Sequence, residues 1–423
     1  MALIPNATSS AQPYCRSSAS DPDGDGWGWE NAASCVVYQS SADPGTGDFS
    51  FCVMGETQTP LCETDNGSWA YESGAICLAA SLCPGVTERV QSPASNALVN
   101  SNATTETQAV FSYLLETWGE AMLSGQMDLT WKDDIDMIQR VINDTGHAPA
   151  LMGYDFMNYG VTVPGVDGLQ QTEEAIAWWQ RGGLVTFAWH WRDPTASGIG
   201  EFYTKSTDFH IPIREGALDT SHSSYEALVV DVDLIAAELR VLQNAGVPVL
   251  WRPLHEASGG WFWWGRNRSD EVPAAYAQVV LWRFLYERLT DHHGLNNLIW
   301  VWNGQHAAWY PGDDYVDIVS FDIYDGTHNY ESQIDTYRET ALMPSRIKPV
   351  ALSENSNIPD PDLMQQDGAW WLFFMVWNDT DTAEGVTQEG NFWTGEYYNS
   401  NAHKQHVYGH ERVITLEELP AFD

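Results

Sequence analysis

Two glutamates stand where packing alone gives no reason for a charge. Glu256 lies in WRPLHEASGGWFWWG, residues 251–265, and Glu354 in PVALSEN, residues 349–355. Each closes an apolar run that reads as a buried strand, and a carboxylate taken out of water is costly unless something pairs with it. Two carboxyl groups across one cleft are what glycosidic-bond cleavage requires. Their proton affinities must then be pushed apart by unlike surroundings. Glu256 has His255, Trp261, Trp263 and Trp264 around it in the sequence, an apolar setting that favours the protonated form, so it is assigned general acid/base. Glu354 is flanked by Ser353 and Asn355, whose donors favour the ionised form, so it is assigned nucleophile. Alone, each glutamate is also explained as an ion-pair partner of Arg252 or a solvated loop residue. Together, at matching strand ends, they read as a pair.

The elements that must position them form a regular alternation. Strands are predicted at 121–128, 148–156, 184–191, 248–256, 298–304, 316–324, 349–355 and 371–378. Helical patterns intervene, most clearly over 225–246 and 271–289. Eight such units predict an α/β chain folded as a (β/α)8 TIM barrel over residues 106–423. Polar and aromatic residues gather at the strand ends: Asp155, His190, His255, Glu256, Asn303, Tyr324, Glu354 and Trp377. That rim is where a barrel of this kind does chemistry. Glu256 is expected to close the fourth strand and Glu354 the seventh.

The first 86 residues differ in kind. They hold all six cysteines, Cys15, Cys35, Cys52, Cys62, Cys77 and Cys83, and read as a small disulfide-stapled β-rich module whose pairing the sequence leaves open. A short repeat runs through it: WGWE precedes Cys35 and WAYE precedes Cys77, both as Trp-x-aromatic-Glu-x4-Cys. Each aromatic pair is expected on one face of a short strand, suited either to a polysaccharide surface or to a miniature core. Asp21, Asp23 and Asp25 have the spacing of a calcium loop, but position twelve is Ala32, so an acidic turn is the reading preferred to an EF-hand. Residues 87–105 form a short polar linker.

Composition narrows the partners. The chain has 58 acidic against 19 basic residues, a formal net charge of −39, which argues against nucleic acid or an anionic membrane. No apolar stretch is long enough to span a bilayer. Clustered cysteines without a leader at the numbered start suggest the processed or recombinant form of a secreted, extracellular protein. The 21 tryptophans suit a carbohydrate partner, since aromatic faces stack on sugar rings, although core filling also consumes them. No dinucleotide or phosphate-loop glycine motif and no zinc-spaced His/Cys set is present in the barrel, so no cofactor or metal is expected. A monomer is expected.

The segments RPLHEASGGWFWWG and ALSEN, with MLSGQ, WHW and FDIY, resemble glycoside hydrolase family 26, largely endo-β-1,4-mannanases, over residues 106–423. The resemblance implies a retaining enzyme with Glu256 as acid/base and Glu354 as nucleophile. It further implies that His190 contacts sugar beside the scissile bond and that Arg252 and His255 orient the acid/base or the sugar hydroxyls. Trp261 would stack on a mannosyl ring, Tyr324 would position Glu354, and Trp377 would floor the cleft. Trp263 and Trp264 are read as wall or core. The amino-terminal region resembles a family-10 carbohydrate-binding module through PLC at 60–62, the aromatic-Glu-x4-Cys signature and Cys83. The expected substrate is therefore a polysaccharide: mannan, glucomannan or galactomannan cut internally. The alternatives are mannobiose release from chain ends, attack on β-glucan or β-1,3-xylan, and an inactive barrel that only binds.

Overall fold

The computed structural model describes residues 97–422 apart from 131–134, 163–169, 271, 345, 382 and 384, together with the backbone of seven short strands between Trp27 and Arg89. Two compact units divide the chain: Met1–Ser95 with Ala341–Lys348, and Asn96–Thr340 with Pro349–Asp423.

In the second unit the apolar runs form seven parallel strands: β1 Gly125–Met127, β2 Leu151–Asp155, β3 Leu184–Trp189, β4 Val249–Pro253, β5 Leu298–Trp302, β6 Ile318–Ile323 and β7 Val350–Asn355. Each pairs with its neighbour in chain order. Strands β2 to β5 are buried along their whole length, which is why they read as continuous apolar runs rather than alternating ones. The eighth predicted strand is irregular, yet it closes the barrel. Leu372 N–H donates to Val350 O (2.7 Å) and Asn355 N–H to Met375 O (2.9 Å) on the β7 side. Leu123 N–H donates to Leu372 O and Met127 N–H to Val376 O, both 2.9 Å, on the β1 side. Here the chain passes so near Gly125 that a Cβ there would lie 2.2 Å from Phe374 O.

Helices cover the outside. α1 (Thr105–Thr117) precedes β1. α2 (Met137–Thr145), α3 (Gln170–Gln180), α4 (Ser223–Asn244) and α5 (Ala274–Tyr286) each lead into the next strand. α4 buries Leu228, Val232, Ile235, Leu239 and Leu242, the three- and four-residue spacing that the sequence displays. The connection from β5 to β6 has only two 3-10 turns, Ala307–Trp309 and Asp313–Tyr315. α1 is tied at its start to the base of β5, Thr104 N–H to Asn296 O at 2.8 Å. At its end Trp118 Nε1 donates to Trp370 O at the base of the eighth stave, 2.9 Å. It thus lies across the end of the barrel opposite the one that carries Glu256 and Tyr324. Among the described residues no helix is long and apolar enough to cross a membrane.

In the first unit the sequence repeat is also a backbone repeat. Trp27–Glu30 pairs with Ala33–Val36, and Trp69–Glu72 with Ala75–Leu78, in equivalent antiparallel registers that set Gly28 opposite Cys35 and Ala70 opposite Cys77. Ser50–Met54 pairs with both Thr57–Pro60 and Val86–Arg89. The Asp21–Asp25 turn, Cys15, Cys62 and Cys83 lie outside the described residues. So do the side chains of Cys35, Cys52 and Cys77, and with them the disulfide and calcium expectations.

The tight seam gives a test. Gly125→Ala should destabilise the barrel by about 1–3 kcal/mol through overpacking against a carbonyl that cannot withdraw, read as a lowered unfolding midpoint in denaturant.

Candidate active site

β4 ends at Pro253, not at Glu256, which corrects the expected strand boundary. Leu254 and Glu256 then adopt φ of +51° and +52°. For side chains with a Cβ this left-handed backbone costs roughly 1–3 kcal/mol each. Asn303, at the end of β5, holds the turn: its carbonyl oxygen and its Oδ1 both accept from Glu256 N–H, at 2.7 and 2.9 Å. Trp264 Nε1 adds a bond to His255 O at 2.7 Å, and Trp263 Nε1 bonds Trp191 O at 2.6 Å. Both indoles are buried core that fixes the loop.

Glu354, within β7, is 3% exposed, so its charge needs partners. They are not the neighbours that the sequence suggested. Side chains alternate along a strand, and Ser353 Oγ goes instead to Ser320 and Asp322, while Asn355 Nδ2 goes to Asn357 O. The donors come from other staves: Arg252 Nη2 of β4 reaches Glu354 Oε1 at 2.5 Å, and the Tyr324 hydroxyl beyond β6 reaches Oε2 at 2.6 Å. Arg252 also donates to Asp322 Oδ2 at 3.2 Å. Burial works against the Arg252 charge, but the Glu354 and Asp322 carboxylates raise its proton affinity above that of an ordinary arginine. Burial, reinforced by Glu354, also raises the Tyr324 hydroxyl, which is sealed against that carboxylate while the ring lies 45% exposed.

Glu256 has no such cation. Its one hydrogen-bonded side-chain partner among the described residues is Trp261, whose Nε1 donates to Oε2 at 2.7 Å. Burial first, and the Glu354 charge second, push its carboxyl up to about 7. One oxygen each of Glu256, Asp322 and Glu354 lie within 4.8 Å of one another. Arg252 already supplies the positive charge at two of these three groups, the place a metal ion would otherwise take. A second group, Asp360, Asp362 and His406, lies at the start of the helix Pro361–Asp367 and on the helix Asn401–Tyr408, with His406 within 3.5 and 3.6 Å of the two carboxylates.

The remaining predicted residues gather at the same rim. His190 Nε2 faces His255 Nε2 at 3.1 Å, and the His190 ring centroid lies 5.7 Å from that of Trp377. Trp261 is 46% exposed, a ring open to the mouth. Sequence reading gave no site role to Asp155, Asn303 and Asp322, although all three are buried among these groups. Asp322 had a signal: it stands two residues before Tyr324 in FDIY, hence on the same strand face.

The sequence profile of glycosyl hydrolase family 26 matches residues 99–414. The chain belongs to this family. A profile described as a cellulose or protein binding domain matches residues 5–37, the first copy of the amino-terminal repeat. A mannan endo-1,4-beta-mannosidase of Thermothelomyces thermophilus is 39% identical over 77% of this chain. The present chain spans 64% of that relative's length. The crystal structure of the Podospora anserina GH26-CBM35 beta-(1,4)-mannanase superposes with a TM-score of 0.68 at 35% identity, covering 82% of this chain and 72% of that one. A beta-mannanase from a symbiotic protist of the termite Reticulitermes speratus, solved with a gluco-manno-oligosaccharide, gives 0.67 at 32% identity, covering 78% and 99%. The family 26 barrel is thus fixed by sequence and by shape together.

Because the Glu354 charge holds the Glu256 proton in place, Glu354→Gln should lower the Glu256 titration from about 7 toward the ordinary glutamate range, read by carbon NMR of the labelled carboxyl groups.

Proposed function

We propose that this family 26 barrel hydrolyses β-1,4-mannosidic linkages inside mannan, glucomannan and galactomannan with retention of configuration. The observation that carries the reading is the carboxyl pair: one buried with a guanidinium and a phenol, the other half-buried with neither, their nearest oxygens within 4.8 Å. A retaining pair needs its carboxyl groups about 5–5.5 Å apart, whereas inversion needs roughly 6.5–9.5 Å to seat a water between them. Glu256 gives its proton to the departing glycosidic oxygen as Glu354 attacks the anomeric carbon, forming a glycosyl ester. Glu256, now ionised, takes a proton from water as that water displaces Glu354. Arg252 and Tyr324 aim the nucleophile, and Trp261 both holds Glu256 and offers its ring to a sugar. The relatives' names, and the gluco-manno-oligosaccharide in one of the solved neighbours, support mannan as the substrate class.

For the amino-terminal part we infer a secreted, monomeric enzyme in which residues 1–86 anchor the chain to polysaccharide and residues 87–105 link them to the catalytic domain, 106–423. The binding-domain profile over 5–37 and the two register-matched hairpins support this reading.

Mannohexaose should yield a spread of short products by chromatography, and mannobiose alone would exclude internal cutting. Glu354→Ala should abolish release of reducing ends from soluble mannan, while Glu256→Ala should cost about 10²–10⁴-fold. Retained activity in either variant would overturn the assignment. Since the acid must carry its proton, kcat/KM should fall as pH rises through about 7. Deleting residues 1–86 should abolish retention on insoluble mannan or cellulose and leave turnover of soluble mannan unchanged; unchanged retention would leave the segment a structural cap.

A further inference from the structure

The double displacement leaves Asp155, a buried carboxylate of the rim, without a task. Asp155 ends β2 and is 1% exposed. Its Oδ1 accepts from the backbone N–H of Met157 at 2.8 Å and of His190 at 3.0 Å, and its Oδ2 faces His190 Nδ1. Oδ1 therefore accepts twice, and an ionised Asp155 leaves the proton between the two side chains on the imidazole. On the far side of the ring, His190 Nε2 meets His255 Nε2 at 3.1 Å. Two ring nitrogens at that distance share a single proton: two bare lone pairs repel, and two N–H groups collide. His255 Nδ1 is buried and has no hydrogen-bond partner among the described residues.

Two protonation states satisfy these contacts. Either both rings are neutral and His255 donates, or His190 is an imidazolium that donates to a neutral His255. The surrounding charges choose between them. Burial opposes a charge on His190, but Asp155 on β2 and then Glu354 on β7 outweigh it, Arg252 on β4 alone pushing the other way. Glu354 Oε1 lies 3.9 Å from His255 Nε2 and favours a proton there, but burial first, and then His190 and Arg252, outweigh it and disfavour a second proton on His255. The groups facing Glu256 are Glu354, which holds its proton on, and Trp261, Arg252 and His190, which help release it. Tyr203, in the loop between β3 and α4, also faces Glu256.

We propose that Asp155 is a positioning residue: through a carboxylate–imidazole–imidazole chain it pins one positive charge on His190, beside the Glu256–Glu354 pair. The inference rests on Glu256 being the acid/base. The pinned charge favours the ionised Glu256 that the second displacement needs, while burial and Glu354 favour the protonated form that the first needs.

Asp155→Asn keeps the shape and removes the charge, and its single oxygen can serve the two backbone N–H groups or His190 Nδ1–H but not all three. His190 then loses its extra proton at lower pH, and Glu256 keeps its own to higher pH. The alkaline limb of kcat/KM on soluble mannan should move up by at least about 0.3 pH unit, a twofold change in proton affinity. A limb that stays, or moves down, overturns the proposal, since a merely structural loss lowers turnover without displacing the limb. Nitrogen NMR of the full chain with labelled histidine needs neither substitution nor substrate. At about pH 6.5, the ordinary histidine midpoint, His190 should be protonated on both nitrogens and His255 on one; a neutral His190 refutes the charge assignment. If the unaltered protein failed to cleave mannan, the mannanase reading would fall while the NMR result still decided the charge on His190.

Discussion

Three carboxyl groups crowd one end of this barrel, and Arg252 is the cation that lets them stay there. Buried carboxylates within 4.8 Å of one another repel strongly, and desolvation adds to the cost. The guanidinium answers both at Glu354 and Asp322 with two donors from one planar fork, a geometry that a lysine could not reproduce. It makes no hydrogen bond to Glu256. The carboxyl left out of the ion pair is the one whose proton affinity burial and the Glu354 charge raise, to about 7, so one ion pair leaves two carboxyl groups of unlike character.

That division depends on strain as much as on charge. Glu256 escapes Arg252 because the chain leaves β4 after Pro253 and turns through two left-handed residues. Asn303, Trp263 and Trp264 hold this turn, tying it to the end of β5 and to the core. Asn303 Nδ2 also reaches Ser320, Asp322 and Ser353, so the seats of Glu256 and Glu354 are cross-braced by one amide. An error in either position is transmitted to the other. The barrel supplies the rigidity, since its staves are hydrogen-bonded around the full circle, including the irregular stretch that passes Gly125.

Much of this was legible in the chain. Continuous apolar runs of strand length, spaced by amphipathic helices, dictate a covered parallel sheet, because only burial on both faces accounts for strands without alternation. Glutamates at the ends of two such runs mark the rim, and the tryptophans after Glu256 mark a loop that packs inward rather than waving in solvent. The seventh stave kept its predicted bounds to a residue, whereas the fourth stopped three residues early at a proline, with a turn that apolarity could not reveal. The eighth run was found by its apolarity, although its bonding is too irregular to form a regular strand.

What the sequence could not contain is which donor meets which acceptor. Ser353 and Asn355 adjoin Glu354 in the chain and serve other partners, while Arg252 and Tyr324, 102 and 30 residues distant, hold it. Asp155 and His190 are 35 residues apart and meet only because β2 and β3 lie side by side. Residue type and period fix the fold, the rim and the identity of the two glutamates, since hydrophobic burial is a local property of each segment. Proton ownership among those groups is set by distances across the barrel mouth. Those exist only once every stave is in register, and no segment encodes them by itself.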